Sequence, residues 1–189
     1  MHLNLLYSKK RLVTIFAYVL LVLFLGIAIS SCSGDDGAVG PAGNANVIYS
    51  EWIVPTWSAG SFYGVAVQEY NITTTNLTQD VIDYGVVLMY WKNASSYIWQ
   101  LPSSGLGGNI IIDFSFSENT LHLYIFDEVN GTLPSAIPSS NVFRYVLIPG
   151  NIPGNNSSDS QTEIITELKT AGVDIDDYHG VCDYYGINP

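Results

Sequence analysis

Short apolar and aromatic runs, cut by Gly, Pro, Asn and Asp, set the pattern of the chain from residue 46 onward. The runs at 47–54 and 62–72 predict strands; in the second, Tyr63, Val65 and Val67 alternate with smaller residues, as on a half-buried strand. Between them Pro55, Ser58, Gly60 and Ser61 predict a loop. Leu77, Val81 and Tyr84 recur at helical spacing behind Asn76 or Thr78 as the cap, which predicts a turn or two of helix over 76–83. Residues 85–92 are apolar almost throughout and predict a central strand. Further strands are expected at 97–101, 110–116, 121–126 and 142–148. In 121–126, Leu121, Leu123 and Ile125 face one way and His122, Tyr124 and Phe126 the other. Glu118-Asn119, Asn130-Gly131 and Pro149-Gly150 supply turns.

Strands at this spacing, with no long helix among them, predict a mainly β fold: an antiparallel β-sandwich, or a barrel-like relative of one. After a linker rich in Asn, Ser, Gly and Pro, Ser160 and Glu163 form a capping box. The helix it opens carries Ile164, Ile165 and Leu168 and stops at Gly172. Asp176 or Asp177 caps a second short helix with Val181, Cys182 and Tyr185. Helices this short are marginal alone, so the C-terminal helical segment is expected to dock on the sandwich.

Upstream the pattern changes. Lys9, Lys10 and Arg11 precede an apolar run over 12–29, and the run closes in Ile29, Ser30, Ser31 and Cys32. A basic n-region, an apolar h-region and a small-residue cleavage site make up a secretory signal peptide. The run would extend about 27 Å as a helix, so an uncleaved transmembrane segment is the alternative. Either reading leaves everything after residue 32 on the outer side, because the positive flank stays inside. Gly34, Gly37, Gly40 and Gly43 then fall at every third position, with Pro41 between them. That is a collagen-like tract too short for a triple helix, and it reads as a flexible tether. The expected organisation is signal peptide 1–31, tether 32–46, β-sandwich 47–150, and linker with docked helices 151–189.

Charge narrows the function classes. Of six basic residues, only Lys92, Arg144 and Lys169 follow residue 31, against seventeen acids, which leaves that part of the chain at −14. Such a balance excludes nucleic acid as a partner and disfavours anionic headgroups. With Cys32 spoken for, Cys182 is a lone thiol, expected to be buried as a small hydrophobe rather than activated by His179. Asp174, Asp176, Asp177, His179 and Asp183 form the densest group of hard ligands. They lack the glycine turn and terminal Glu of a calcium loop and read as helix-capping acids, so no metal and no cofactor is expected. His122 is expected to make a cross-strand hydrogen bond. Four tryptophans and thirteen tyrosines mostly serve packing. Trp57, in a loop beside Tyr63, is the candidate ligand platform for a glycan or a protein partner. Asn-x-Ser/Thr sequences at Asn71, Asn76, Asn93, Asn130 and Asn156 matter only on a eukaryotic secretory route.

The Ile29-Ser30-Ser31-Cys32 ending resembles the lipobox of bacterial lipoproteins, which implies that Cys32 becomes the N-terminal residue and that its sulfur carries the lipid. Asp35 and Asp36 resemble the acidic signal that sends lipoproteins of Bacteroidetes-type bacteria to the outer face of the outer membrane. The segments Asn44-Ala-Asn-Val-Ile-Tyr49, Tyr84-Gly-Val-Val-Leu88, Phe143-Arg-Tyr-Val-Leu-Ile-Pro-Gly150 and Tyr178-x-x-Val-Cys182 extend the likeness. As a set they resemble Bacteroidetes-type lipoproteins with a short collagen-like start and a β-rich globular domain. The resemblance implies an address, the outer membrane surface through a lipid at Cys32, and no activity. The expected function is a non-enzymatic, surface-displayed binding or structural envelope protein, with no catalytic residue assigned. The alternative is a secreted hydrolase of the glycosidase type, which needs two carboxylates about 5–9.5 Å apart. Glu69, Asp80, Asp83, Asp113 and Asp127 are available, and no spacing in the sequence pairs any two of them.

Overall fold

The computed structural model describes residues 46–104, 106–150 and 160–189. The signal segment with Ile29, Ser30, Ser31 and Cys32, the tether up to residue 45, and the linker at 151–159 with Asn156 lie outside the described residues.

Hairpin chemistry and alternation build eight strands among the described residues. They are β1 (Ile48–Tyr49), β2 (Ser58–Phe62), β3 (Val65–Thr73), β4 (Val86–Lys92), β5 (Ile98–Gln100), β6 (Ile110–Ser117), β7 (Thr120–Asp127) and β8 (Val142–Ile148). Three helices join them: α1 (Gln79–Tyr84), α2 (Ser160–Thr170) and α3 (Tyr178–Tyr185). The strands form two four-stranded sheets, sheet A in the order β1-β8-β4-β5 and sheet B in the order β2-β3-β7-β6. Every pairing is antiparallel. The chain is mainly β, and its architecture is that of a β-sandwich with a C-terminal helical segment.

The expected loop at 55–61 is half corrected. Ser58–Phe62 is an edge strand, paired with β3 from Ser58↔Glu69 to Phe62↔Val65. Its sequence, Ser-Ala-Gly-Ser-Phe, has no strand pattern. The pairing is imposed by the turn, where Tyr63 (φ 48°) and Gly64 (φ 84°) both take left-handed backbone, as a two-residue type I′ hairpin requires. The expected strand at 47–54 is shorter, because its register slips. Ile48 pairs with Leu147 and Tyr49 with Val146, yet Ile53 bridges to Phe143. One extra residue therefore lies on the β1 side, a bulge that turns every later side chain to the opposite face. Ile48 and Ile53 both pack into the inter-sheet core, while Trp52 is thrown to the other side.

Two apolar clusters flank sheet A. Between the sheets, Ile72, Met89, Trp91, Ile112, Leu123, Ile125 and Phe143 are buried together. On the far side of sheet A, Leu88, Tyr90, Val146 and Ile148 meet Leu168, Tyr178, Val181, Cys182, Tyr185 and Ile187 from the helical segment. The near-continuous apolar run of β4 is explained by this: alternate residues fill two different cores, and each large side chain buried contributes about 1.5–3 kcal/mol. The helices belong to the same compact unit as the sheets. Leu168 is fully buried and Ile164 packs beside it, whereas Ile165 is half-buried outside the cluster.

The helix ends are set locally. Thr78 caps α1, its hydroxyl accepting from the Val81 amide at 3.4 Å. Asp177 caps α3 by accepting from the His179 amide at 3.1 Å, and Gly186 (φ 65°) closes it in left-handed backbone. Gly150 is required for another reason: a Cβ there would collide with the Tyr84 carbonyl and the Ser160 hydroxyl, at the meeting of α1, β8 and α2.

Candidate functional site

The two outer surfaces of the sandwich differ. That of sheet A lies under the helices; that of sheet B is covered at its centre by its own side chains, with Val67 fully buried and Tyr124 nearly so. Alternation puts Leu121, Leu123 and Ile125 of β7 in the core, so His122, Tyr124 and Phe126 form the outer row. The register adds Glu69 and Asn71 from β3 and Asp113 and Ser115 from β6, paired with Tyr124 and His122 respectively.

Aromatic rings organise this surface. Phe62 at the end of β2 reaches across β3 to stack on Tyr124, with centroids 4.3 Å apart and planes inclined by 27°. Tyr124 is only 8% exposed as a result. His122 stands parallel to Tyr124 at 6.3 Å and 11°. Tyr63, at the hairpin tip, meets Phe62 edge to face at 4.6 Å and keeps 93% of its surface in solvent. Bulky residues rarely occupy left-handed backbone, which costs a non-glycine residue about 1–2 kcal/mol. Tyr63 does so while contributing little burial.

Polar groups fill the spaces. The imidazole Nδ1 of His122 lies 2.8 Å from the Asn71 side-chain oxygen, the cross-strand bond expected of it, and Nδ1–H donating fits that pair. This leaves the Asn71 amide NH2 facing outward as a donor. Ser115 and Tyr124 hydroxyls are 3.2 Å apart. Asp113 accepts from the Phe114 amide at 2.7 Å through one oxygen. The Glu69 carboxylate lies over Gly60, whose missing side chain makes the room: a Cβ there would strike it.

Glu69 and Asp113 flank Tyr124 in one row, two inter-strand spacings apart, or about 9.6 Å between backbones. Sequence spacing had paired no carboxylates, and only the register brings these two together. The Glu69 side chain leans toward β2, away from β6, which widens the gap. Asp80 and Asp83 lie on α1, where Asp83 accepts from Gln79 at 2.7 Å. Asp127 accepts from the Val129 and Asn130 amides and from the Asn130 side chain, and the Asn130 bonds hold its carboxyl below the usual range. These three serve local structure.

The expected platform separates into its two members. Trp57 is half-buried and turned inward, edge to face with Phe143 at 5.7 Å, whereas Tyr63 is exposed and pairs with Phe62. Phe62 and Tyr124 were the rings that sequence reading passed over; the alternation of 121–126 already set Tyr124 apart from the core face.

A second cluster surrounds Trp52 on the sheet A side. Lys92 Nζ lies 3.9 Å from its ring centroid and the Arg144 guanidinium 5.5 Å. Tyr178 packs on the same indole at 5.3 Å. Arg144 is only 3% exposed and has no carboxylate partner among the described residues. It donates instead to the Ser50 carbonyl at 2.6 Å, to the Asn188 carbonyl at 2.8 Å and to the Tyr178 hydroxyl. Those three groups belong to the residue just after β1, the last residues and α3, so Arg144 ties both ends of the described chain to β8. Burial, and then the Arg144 charge, push the Lys92 ammonium below its usual range.

The remaining candidates fall to structure. Cys182 is fully buried, and burial pushes its thiol up, the reverse of activation. Asp174 accepts from the Asp176 amide and Asp177 caps α3, so these acids act as turn and cap residues. No group of three or more His, Cys, Asp or Glu placed to hold a metal occurs among the described residues. Nor does any described helix have the length and apolarity to cross a membrane. A shallow cleft between β1 and α1, lined by Ile48, Thr78, Asp80 and Gly150 among others, presents one carboxylate. Comparison of the chain with protein-family models, with curated proteins and with solved structures finds no match.

Proposed function

We propose that the chain is a lipid-anchored, non-enzymatic binding protein of the outer membrane surface, joined to the membrane through Cys32. In this reading sheet B, on the side away from the core, meets the ligand. The observation that carries it is the unequal covering of the two sheets. Sheet A covers its outer surface with the helices, while the turn between β2 and β3 holds exposed Tyr63 in unfavourable backbone beside Phe62, with Glu69 and Asn71 farther along β3. The hairpin sets that backbone; a large ring left in solvent there, where Asn or Gly would turn more easily, is better explained by contact with something outside the chain.

The anchor is tested by metabolic labelling with an alkynyl palmitate analogue. Wild type is expected to take the label and Cys32→Ala to lose it; equal labelling of both would sink the anchor. The binding role is set against the hydrolase reading by the Glu69 and Asp113 pair. Incubation with uncharged polysaccharides is expected to release no reducing ends. Release by wild type that Asp113→Asn abolishes would make the protein a hydrolase.

A further inference from the structure

We infer that the outer surface of sheet B binds an uncharged glycan chain, with Tyr63 as the stacking ring and Glu69, Asn71 and Asp113 as partners for sugar hydroxyls. This rests on the binding role proposed above and names its ligand class. Three features of the surface select that class.

The first is the rings. Sugar rings carry apolar C–H faces that stack on aromatic planes, and Tyr63 offers nearly the whole of its ring. Its edge-to-face contact with Phe62, at 75°, sets the tyrosine plane across the Phe62–Tyr124 stack.

The second is the mixture of donors and acceptors. A hydroxyl both donates and accepts, so a polyol is best met by groups of both kinds on one surface. Asn71 has its NH2 to donate, since its oxygen is committed to His122. The second oxygen of Asp113 and the Glu69 carboxylate accept.

The third is charge. Lys92 and Arg144 sit against Trp52 on sheet A, and Lys169 is in the last turn of α2. Sheet B contains no Lys or Arg, and its outer surface presents Glu69 and Asp113 beside His122. A polyanionic glycan would bring charge onto carboxylates with no Lys or Arg to neutralise it.

The test is affinity electrophoresis of the detergent-solubilised full chain through gels containing mannan, laminarin or galactan, with polygalacturonate and oligolysine as charged probes. Retardation by at least one uncharged polysaccharide is expected. Tyr63→Ser should weaken it tenfold or more and Glu69→Gln several-fold, while both variants keep the wild-type melting temperature. Polygalacturonate should not retard the chain. Retardation by oligolysine alone, lost in Tyr63→Ser and Glu69→Gln, would overturn the glycan class and leave the binding surface standing. Retardation that Tyr63→Ser and Phe62→Ser both leave intact, or none with any probe, would overturn the inference and with it sheet B as the ligand surface.

Discussion

Sheets A and B have the same number of strands and opposite surroundings. In sheet A, β4 and β8 are buried on both sides, and their sequences read as near-continuous apolar runs, broken by Arg144 within β8 and ended by Lys92 in β4. In sheet B, β7 alternates: Leu121, Leu123 and Ile125 are fully buried in the core, while the outer His122 and Phe126 stay partly open and Tyr124 is covered only by Phe62 from its own sheet. A strand packed twice has no position to spare, because every substitution disturbs one core or the other. A strand packed once leaves half its residues outside the folding problem, and those are the ones at liberty to meet a ligand. The helices finish the fold on the sheet A side, and the outer row of sheet B is left to its own side chains.

Removing the helices should break the contrast most severely. Without residues 151–189, Leu88, Tyr90, Val146 and Ile148 would face water, at about 1.5–3 kcal/mol each. That sum rivals the whole stability of a typical domain, about 5–15 kcal/mol. The truncated chain is expected to lose its cooperative thermal transition and bind a hydrophobic dye. A soluble fragment melting where the full chain does would mean that sheet A needs no cover.

Arg144→Ala probes the same side more gently. It strands the Tyr178 hydroxyl and two carbonyls, a loss of about 3 kcal/mol, or about 6–12 °C in melting temperature for a chain of this size. Lys92→Ala, removing a rim cation, should shift it by less than about 3 °C. Equal effects of the two would show that Arg144 does not hold the chain ends together.

Alkaline pH should loosen the helix side selectively. Burial pushes the Tyr178 hydroxyl up to about 12 from an ordinary 10.0, and burial also raises Tyr90 and Tyr185. A phenol held more tightly to its proton in the folded state contributes stability that is intact below about pH 10 and lost as pH climbs toward 12. Chemical denaturation between pH 8 and 11 is expected to show a decline that begins near pH 10 and is shallower in Tyr178→Phe. A variant curve parallel to wild type would remove Tyr178 from the account.

The smallest effect belongs to sheet B. Tyr63→Gly relieves left-handed backbone at an exposed tip, so the melting temperature should hold or rise by up to about 3 °C. A clear fall would show that Tyr63 is a structural residue after all.

Most of this arrangement was legible in the chain, and the failures have physical reasons. The central strand at 85–92, the alternation at 121–126 and the helix with Val181, Cys182 and Tyr185 all follow from periodicity, which core packing enforces. Ser58–Phe62 was missed because a small-residue edge strand buries too little to leave a pattern; its partner and turn make it a strand. The inward turn of Trp57 and the outward turn of Trp52 depend on a loop path and a bulge, and neither leaves a composition signal. Tyr63 was read within a half-buried strand and only as the neighbour of Trp57; the turn at Tyr63-Gly64 exposes it instead, and the Phe62–Tyr124 stack behind it crosses a strand that the sequence cannot place. Glu69 and Asp113 are far apart in sequence and meet only through two strand registers.

The order of pairing in sheet A has a consequence for a chain that emerges from its N-terminus. β1 pairs with β8 alone, and β8 also joins β1 to β4. Until Val142–Ile148 is delivered, β1 has no partner in its sheet, and β4 has only the short β5. Sheet B closes earlier, since its last strand ends at Asp127. The sandwich therefore cannot shut around its contents before residue 148 is present. The strand that locks sheet A is the last of the eight to arrive.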